Sequence, residues 1–217
     1  MLKGIDVSKY QATTPSLEGL DFLIARTSYA TTLDPKYVTH TVAARKAGLV
    51  VGAYHFGTGF ATPAAQAKVF LAAAEKADLL FLDLERDSSL TMTQAQAREF
   101  IRLVHAAGRK IGLYHSRSGF PSLGQDFNWV ALWGSAPTGI AWKFWQYRGS
   151  PLDLDYFNGT KADLLALVAP ALPPTDAQEP HVTLKANSAS PVQALVDVKK
   201  GEQVFRLDGT PLIKWSK

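Results

Sequence analysis

Residues 2–157 alternate between short apolar runs and stretches of helical periodicity, and this alternation constrains the fold more than any other feature of the 217-residue chain. The β-like runs are LKGIDVS at the start, DFLIARTS (21–28), LVVGAYHF (49–56), LLFLDLE (79–85), KIGLYHS (110–116), WVALWGS (129–135), WKFWQYR (142–148) and LDLDYF (152–157). They amount to about eight strands. Helix signals stand between the early ones. Asp34 followed by Pro35 reads as an N-cap with proline in the first turn, and Gly48 suits the left-handed position after a helix end. Thr62 followed by Pro63 repeats the start signal, and Thr93 with Gln96 predicts a capping box on a helix that Gly108 closes. Strand, helix, strand is the signature of a mainly parallel sheet. Only six residues separate WVALWGS from WKFWQYR, so part of the wall is expected to be irregular or antiparallel.

Composition narrows the function. With 47% hydrophobic residues the chain can bury one barrel-sized core, with or without a small appendage. The absence of cysteine excludes disulfides and thiol catalysis, and five dispersed histidines show no metal-ligand spacing, so no metal site is expected. A formal charge of +4, spread without a basic stripe, favours attraction to polyanionic surfaces over nucleic-acid reading. No run reaches membrane-spanning length and MLKGIDVSKYQ has no apolar leader character, so the expectation is synthesis in the cytoplasm without a signal peptide and without membrane insertion. After Leu172 the pattern changes: PPTDAQEP (173–180) reads as a linker. Residues 181–217 read as a small β-rich extension, with Asp208–Gly209 as a hairpin turn.

The polar residues in the strands collect at their C-terminal ends: Asp6 and Ser8, Arg26 and Ser28, His55, Asp83 and Glu85, His115, Trp133 and Ser135, and Gln146. In parallel α/β folds ligands bind at this end, because the βα loops converge there. LLFLDLERD sets Asp83 and Glu85 two positions apart on a strand, where side chains share a face. Neighbouring acids beside aromatic rings suit glycoside hydrolysis. A glycosidic oxygen leaves only when protonated, and a second negative charge steadies the oxocarbenium-like transition state. Clustering also raises the pKa of one acid and keeps it protonated near neutrality. Dinucleotide and Walker A signatures are absent.

Together, GIDVSKYQ, GAYHF (52–56), LDLE (82–85) and WQYRGSPLDLDYFNG (145–159) resemble the family 25 glycoside hydrolases, the Chalaropsis-type lysozymes common among phage endolysins and bacterial autolysins. The resemblance covers roughly residues 2–160. It implies an α/β fold, an irregular (β/α) TIM-like barrel over residues 1–172. It also implies cleavage of the β-1,4 bond between N-acetylmuramic acid and N-acetylglucosamine of peptidoglycan, with retention. Glu85 is then the general acid/base, and Asp83 its partner, as nucleophile or by orienting the substrate's N-acetyl group. Asp6 lines the floor, and Asp153 matches the family's late aspartate. Asp155 stands where the family pattern V-D-L-N has asparagine, an added acid, which leaves open which of the two faces the groove. The stretch from Thr13 to Gly19 lacks an expected tryptophan-containing segment, which touches one groove edge. Tyr54, Tyr114, Trp133, Trp145, Gln146 and Tyr147 are the candidate sugar contacts. No metal or cofactor is implied. The rival readings are a chitinase-like hydrolase, against which the long D-x-x-D-x-D-x-E pattern is missing, and a non-catalytic sugar-binding module of a virion.

Overall fold

The computed structural model describes residues 1–86 and 90–168. The proposed linker and C-terminal extension lie outside the described residues. Among the described residues, nine strands and four helices follow in the order β1 (Leu2–Val7), β2 (Phe22–Tyr29), β3 (Thr32–Leu33), α1 (Tyr37–Lys46), β4 (Val50–Phe56), α2 (Pro63–Ala73), β5 (Leu79–Asp83), α3 (Gln94–Ala106), β6 (Gly112–Ser116), β7 (Phe127–Ala131), β8 (Phe144–Arg148), β9 (Asp153–Phe157) and α4 (Lys161–Leu167).

Eight of the strands close into a barrel in the order β1-β9-β8-β7-β6-β5-β4-β2, with β1 paired back to β2 and the two-residue β3 appended to β2. Every pairing from β1 through β2 and β4 to β8 is parallel, whereas β9 is antiparallel to both neighbours. The expected irregularity is therefore located: the last strand runs backwards, and the β6–β7 and β7–β8 connections carry no helix. The four-residue step from β8 into β9 is too short for a right-handed crossover, which needs about a dozen residues or more.

The lumen is a packed core. Phe22, Ile24, Phe81, Phe127, Trp129, Phe144 and Phe157 fill it, and Leu164 of α4 belongs to the same cluster. Small residues make the space: a Cβ on Gly4 would collide with the Phe22 ring, and one on Gly112 with the Phe127 ring. The opposite strand faces carry Ala53, Leu80, Leu82 and Leu113, which pack with Phe70 of α2 and Phe100, Ile101 and Val104 of α3. Ile5, Leu23, Ala25 and Val51 pack in the same way with Ala44 of α1.

Two of the three helix starts match the sequence reading. Thr62 caps α2 through Ala65 N–H with Pro63 behind it, and Thr93 with Gln96 forms the full capping box on α3. Gly48 and Gly108 take φ of +75° and +72° after α1 and α3. Asp34 is a correction. The helix begins at Tyr37 with Lys36 as a cap that makes no side-chain bond. The Asp34 carboxylate instead accepts from Arg26 Nε at 2.8 Å, from the Lys9 amide at 2.9 Å and from the Lys36 amide at 2.9 Å. A buried cation outcompetes a helix terminus for a carboxylate, because leaving Arg26 unpaired at 7% exposure would cost far more than a cap provides.

Candidate active site

A groove of about 790 Å³ opens at the C-terminal ends of the parallel strands, and Asp6, Asp83, Glu85 and Asp153 all line it. Strand geometry puts them there. Asp6 is the penultimate residue of β1, within its buried stretch, and lies directly across the antiparallel pairing from Asp153 of β9. Asp83 closes β5, buried at every position, and Glu85 follows two residues later, exposed at the groove.

Burial is the dominant electrostatic fact. It pushes the Asp83 carboxyl well above the usual carboxylate range, the neighbouring Glu85 charge adds to the rise, and Arg26 opposes it. Asp83 Oδ1 has no hydrogen-bond partner among the described residues. Burial likewise raises Asp6 well above its ordinary value, with the charges of Asp155 and Asp153 pushing the same way and the Gln146 amide opposing. Asp153 is raised to about 6 by burial. Such a cluster keeps its protons to higher pH than isolated carboxylates would.

Neutral donors orient the acids. Gln146 Nε2 donates to Asp6 Oδ2 at 2.8 Å, and Tyr114 Oη donates to Gln146 Oε1 at 2.9 Å. Tyr54 is buried beneath them, its phenol raised by desolvation and then by the charges of Asp6 and Asp83. Trp133 stands 69% exposed at the rim, opposite in character to the packed Trp129 below it.

Of the candidate sugar contacts, Tyr54, Tyr114, Trp133 and Gln146 line the groove, whereas Trp145 and Tyr147 do not. Their side chains project from the outer wall. Trp145 Nε1 donates to the Leu132 carbonyl at 2.6 Å, and Tyr147 stacks on Tyr156 with ring centroids 4.4 Å apart. Alternation is the reason: Phe144 and Gln146 take the lumen side of β8, so the residues between and after them face away. His55 also leaves the groove, bound to Ser28 and Gln66 on the helix side, and His115 bonds the Ser116 carbonyl. As between the two late acids, Asp153 lines the groove, and Asp155 is buried deeper at 1% exposure.

Among the groove residues that escaped the sequence reading are Lys9, Tyr10, Tyr29 and Phe56. Tyr10 carries Lys9 and Arg26 within cation–π range at 5.4 and 5.3 Å. No periodic signal marks the loop after β1. A signal did exist for Phe56, which stands two residues beyond Tyr54 on β4 and so shares its face. For Tyr29 none did: the β2–β4 register shifts between Arg26 and Ser28, which leaves Thr27 as the extra residue of a bulge. That bulge lets Arg26 face the groove with Tyr54 while Ser28 faces outward with His55, and it returns Tyr29 to the groove.

A family profile described as Glycosyl hydrolases family 25 matches residues 5–153. YegX of Escherichia coli K12, described as uncharacterized, is 30% identical over 158 residues, which make up 63% of this chain and 58% of that protein. The chain thus spans less than two thirds of the length of that relative. Lysozyme M1 of Streptomyces globisporus is 29% identical over 208 residues, covering 76% of this chain and 71% of its own. Among solved structures, the bacterial lysozyme from Streptomyces coelicolor superposes with a TM-score of 0.66 at 26% identity, covering 78% of this chain and 98% of that one. With acids of the D-x-E motif at the mouth of a closed eight-stranded barrel and the profile spanning more than half the sequence, this chain belongs to glycosyl hydrolases family 25.

Proposed function

We propose that this protein is a muramidase that cleaves the β-1,4 bond between N-acetylmuramic acid and N-acetylglucosamine in peptidoglycan, with retention of configuration. The observation that carries the reading is the adjacency of buried Asp83 and groove-exposed Glu85 at one wall of an acid-lined cleft, each charge disfavouring ionisation of the other. Glu85 reaches the glycosidic oxygen and delivers a proton. Asp83, acting as the ionised carboxylate, serves the anomeric centre, as nucleophile or by steering the substrate's N-acetyl oxygen onto it. Asp6 and Asp153 face them across the groove and supply the negative field that favours positive charge on the sugar ring. Trp133 offers an exposed apolar face to a pyranose ring.

The same reading puts the enzyme to work on the bacterial wall, as an endolysin or virion-associated lysin, where its net positive charge favours adsorption to anionic wall polymers.

Incubation of the purified protein with peptidoglycan, followed by mass spectrometry of the products, tests this directly. New reducing ends on muramic acid are expected. Reducing ends on glucosamine would instead mark a glucosaminidase, release from chitin oligomers a chitinase-like enzyme, and binding without cleavage a sugar-binding module. Glu85→Gln is expected to lower kcat/KM by about 10³-fold or more with the far- and near-UV circular dichroism intact. Near-normal turnover in that variant would reject Glu85 as the acid. Retention is read from the anomer released first, by proton NMR during early turnover.

A further inference from the structure

Asp155 is the acid that the family pattern does not call for, and its surroundings give it a task. It sits on β9 opposite Gly4 of β1 and Gln146 of β8, two register steps below the Asp6–Asp153 pair and therefore on the same face. Trp129 reaches across the lumen and donates its Nε1 proton to Asp155 Oδ1 at 2.8 Å. The other oxygen, Oδ2, is buried without a conventional donor, although the carboxyls of Asp155 and Asp6 are within hydrogen-bonding reach of each other.

Two ionised carboxylates in that arrangement would leave a desolvated oxygen facing a like charge, with no donor between them. A single proton between the carboxyls removes both penalties, because it cancels one charge and satisfies Oδ2. We propose that Asp155 is a positioning residue for Asp6: the two carboxyls share one proton, and that bridge, anchored by Trp129 behind and matched by Gln146 beside it, holds Asp6 at the groove.

The groups that face the pair are Asp153 on β9, Gln146 on β8, Tyr114 on β6 and Tyr54 on β4, with the Tyr147 phenol sensing Asp155 from the outer wall. None of them is a cation. The direction of titration agrees with the geometry: Asp155 is pushed up to about 7, chiefly by burial, with Trp129 and Asp6 opposing and Asp153 reinforcing.

Asp155→Asn is the informative variant. Its carbonyl oxygen can keep the Trp129 bond, and its amide then donates permanently toward Asp6, so the geometry survives and the shared proton does not. Wild type is expected to lose thermal stability as pH rises from 6 to 8 through the titration of the pair. In Asp155→Asn that loss should shrink, and the infrared band of a protonated buried carboxyl at pH 7 should be weaker than in wild type. The alkaline limb of kcat/KM should also move by about one pH unit relative to wild type. This arm rests on the glycosidase reading, whereas the stability and infrared arms do not. Should Asp155→Asn fail to fold, the wild-type infrared titration alone decides. Parallel pH–stability curves for the two proteins, or full ionisation of the wild-type carboxyls at pH 7, would overturn the proposal.

Discussion

His55 shows how completely one side chain's chemistry depends on which side of a strand it occupies. Its ring lies between Ser28 Oγ at 2.8 Å and Gln66 Oε1 at 3.0 Å and stacks on Phe100. Because Gln66 Oε1 only accepts, the ring donates from Nε2 and accepts the Ser28 hydroxyl at Nδ1. Burial depresses its pKa to about 4, against a smaller opposing effect from Gln66. An unfolded histidine titrates near 6.5, so between those values the unfolded chain binds more protons, and stability is lost as pH falls through the window. The groove acids have the opposite sign. With Asp153 raised to about 6 and Asp155 to about 7, their contribution is full below the ordinary carboxylate range and is lost as pH rises through those values. His55→Gln keeps a donor and an acceptor for both partners and removes the titration. It is expected to gain on wild type by up to roughly 3 kcal/mol between pH 7 and pH 4. Thermal unfolding at the two pH values checks this, and a constant difference between the proteins would show that the ring charges without penalty. The sequence placed His55 correctly at a strand end. Its direction follows from alternation on β4: Tyr54 and Phe56 line the groove, so His55 between them points to the helix side.

At the scale of the element, β8 explains why Trp145 and Tyr147 were misplaced and Gln146 was not. WKFWQYR permits either Gln146 or its two flanking aromatics on the groove side, never all three, since neighbours on a strand point oppositely. The buried Phe144 decides for Gln146 by taking the lumen side. The β1 strand carries the converse lesson. Gly4 occupies a lumen position at which any Cβ would lie inside the van der Waals envelope of the Phe22 ring. Gly4→Ala is therefore expected to cost about 1–3 kcal/mol by overpacking, as a lowered melting temperature. An unchanged melting temperature would mean that Phe22 has room to swing aside. The helix starts at Thr62 and Thr93 were legible because capping is local chemistry: the donor amides lie within three residues of the hydroxyl. Asp34 misled because its strongest partner, Arg26, lies on another element.

For the whole molecule, closure rests on β1, which pairs with β2 nearby in sequence and with β9 at the far end of the barrel. A chain ending at residue 150 lacks β9 and leaves β1 and β8 as unpaired edges over an open aromatic lumen. It is expected to be insoluble or to lose near-UV circular dichroism while keeping far-UV signal. A soluble truncation with the full-length near-UV spectrum would show that seven strands suffice. The sequence by itself determined the eight strands of the barrel, though not the two-residue β3, together with the strand ends that carry acids and the helices with strong caps, because each is written in periodicity or in contacts a few residues apart. Only the tertiary structure decided that Asp153 meets the groove while Asp155 lies beneath it, that Trp145 and Tyr147 face outward, and that burial raises the pKa of Asp6, Asp83, Asp153 and Asp155. Those outcomes depend on which strand faces turn inward when the sheet closes and on how much water closure removes, and both are properties of all eight strands together.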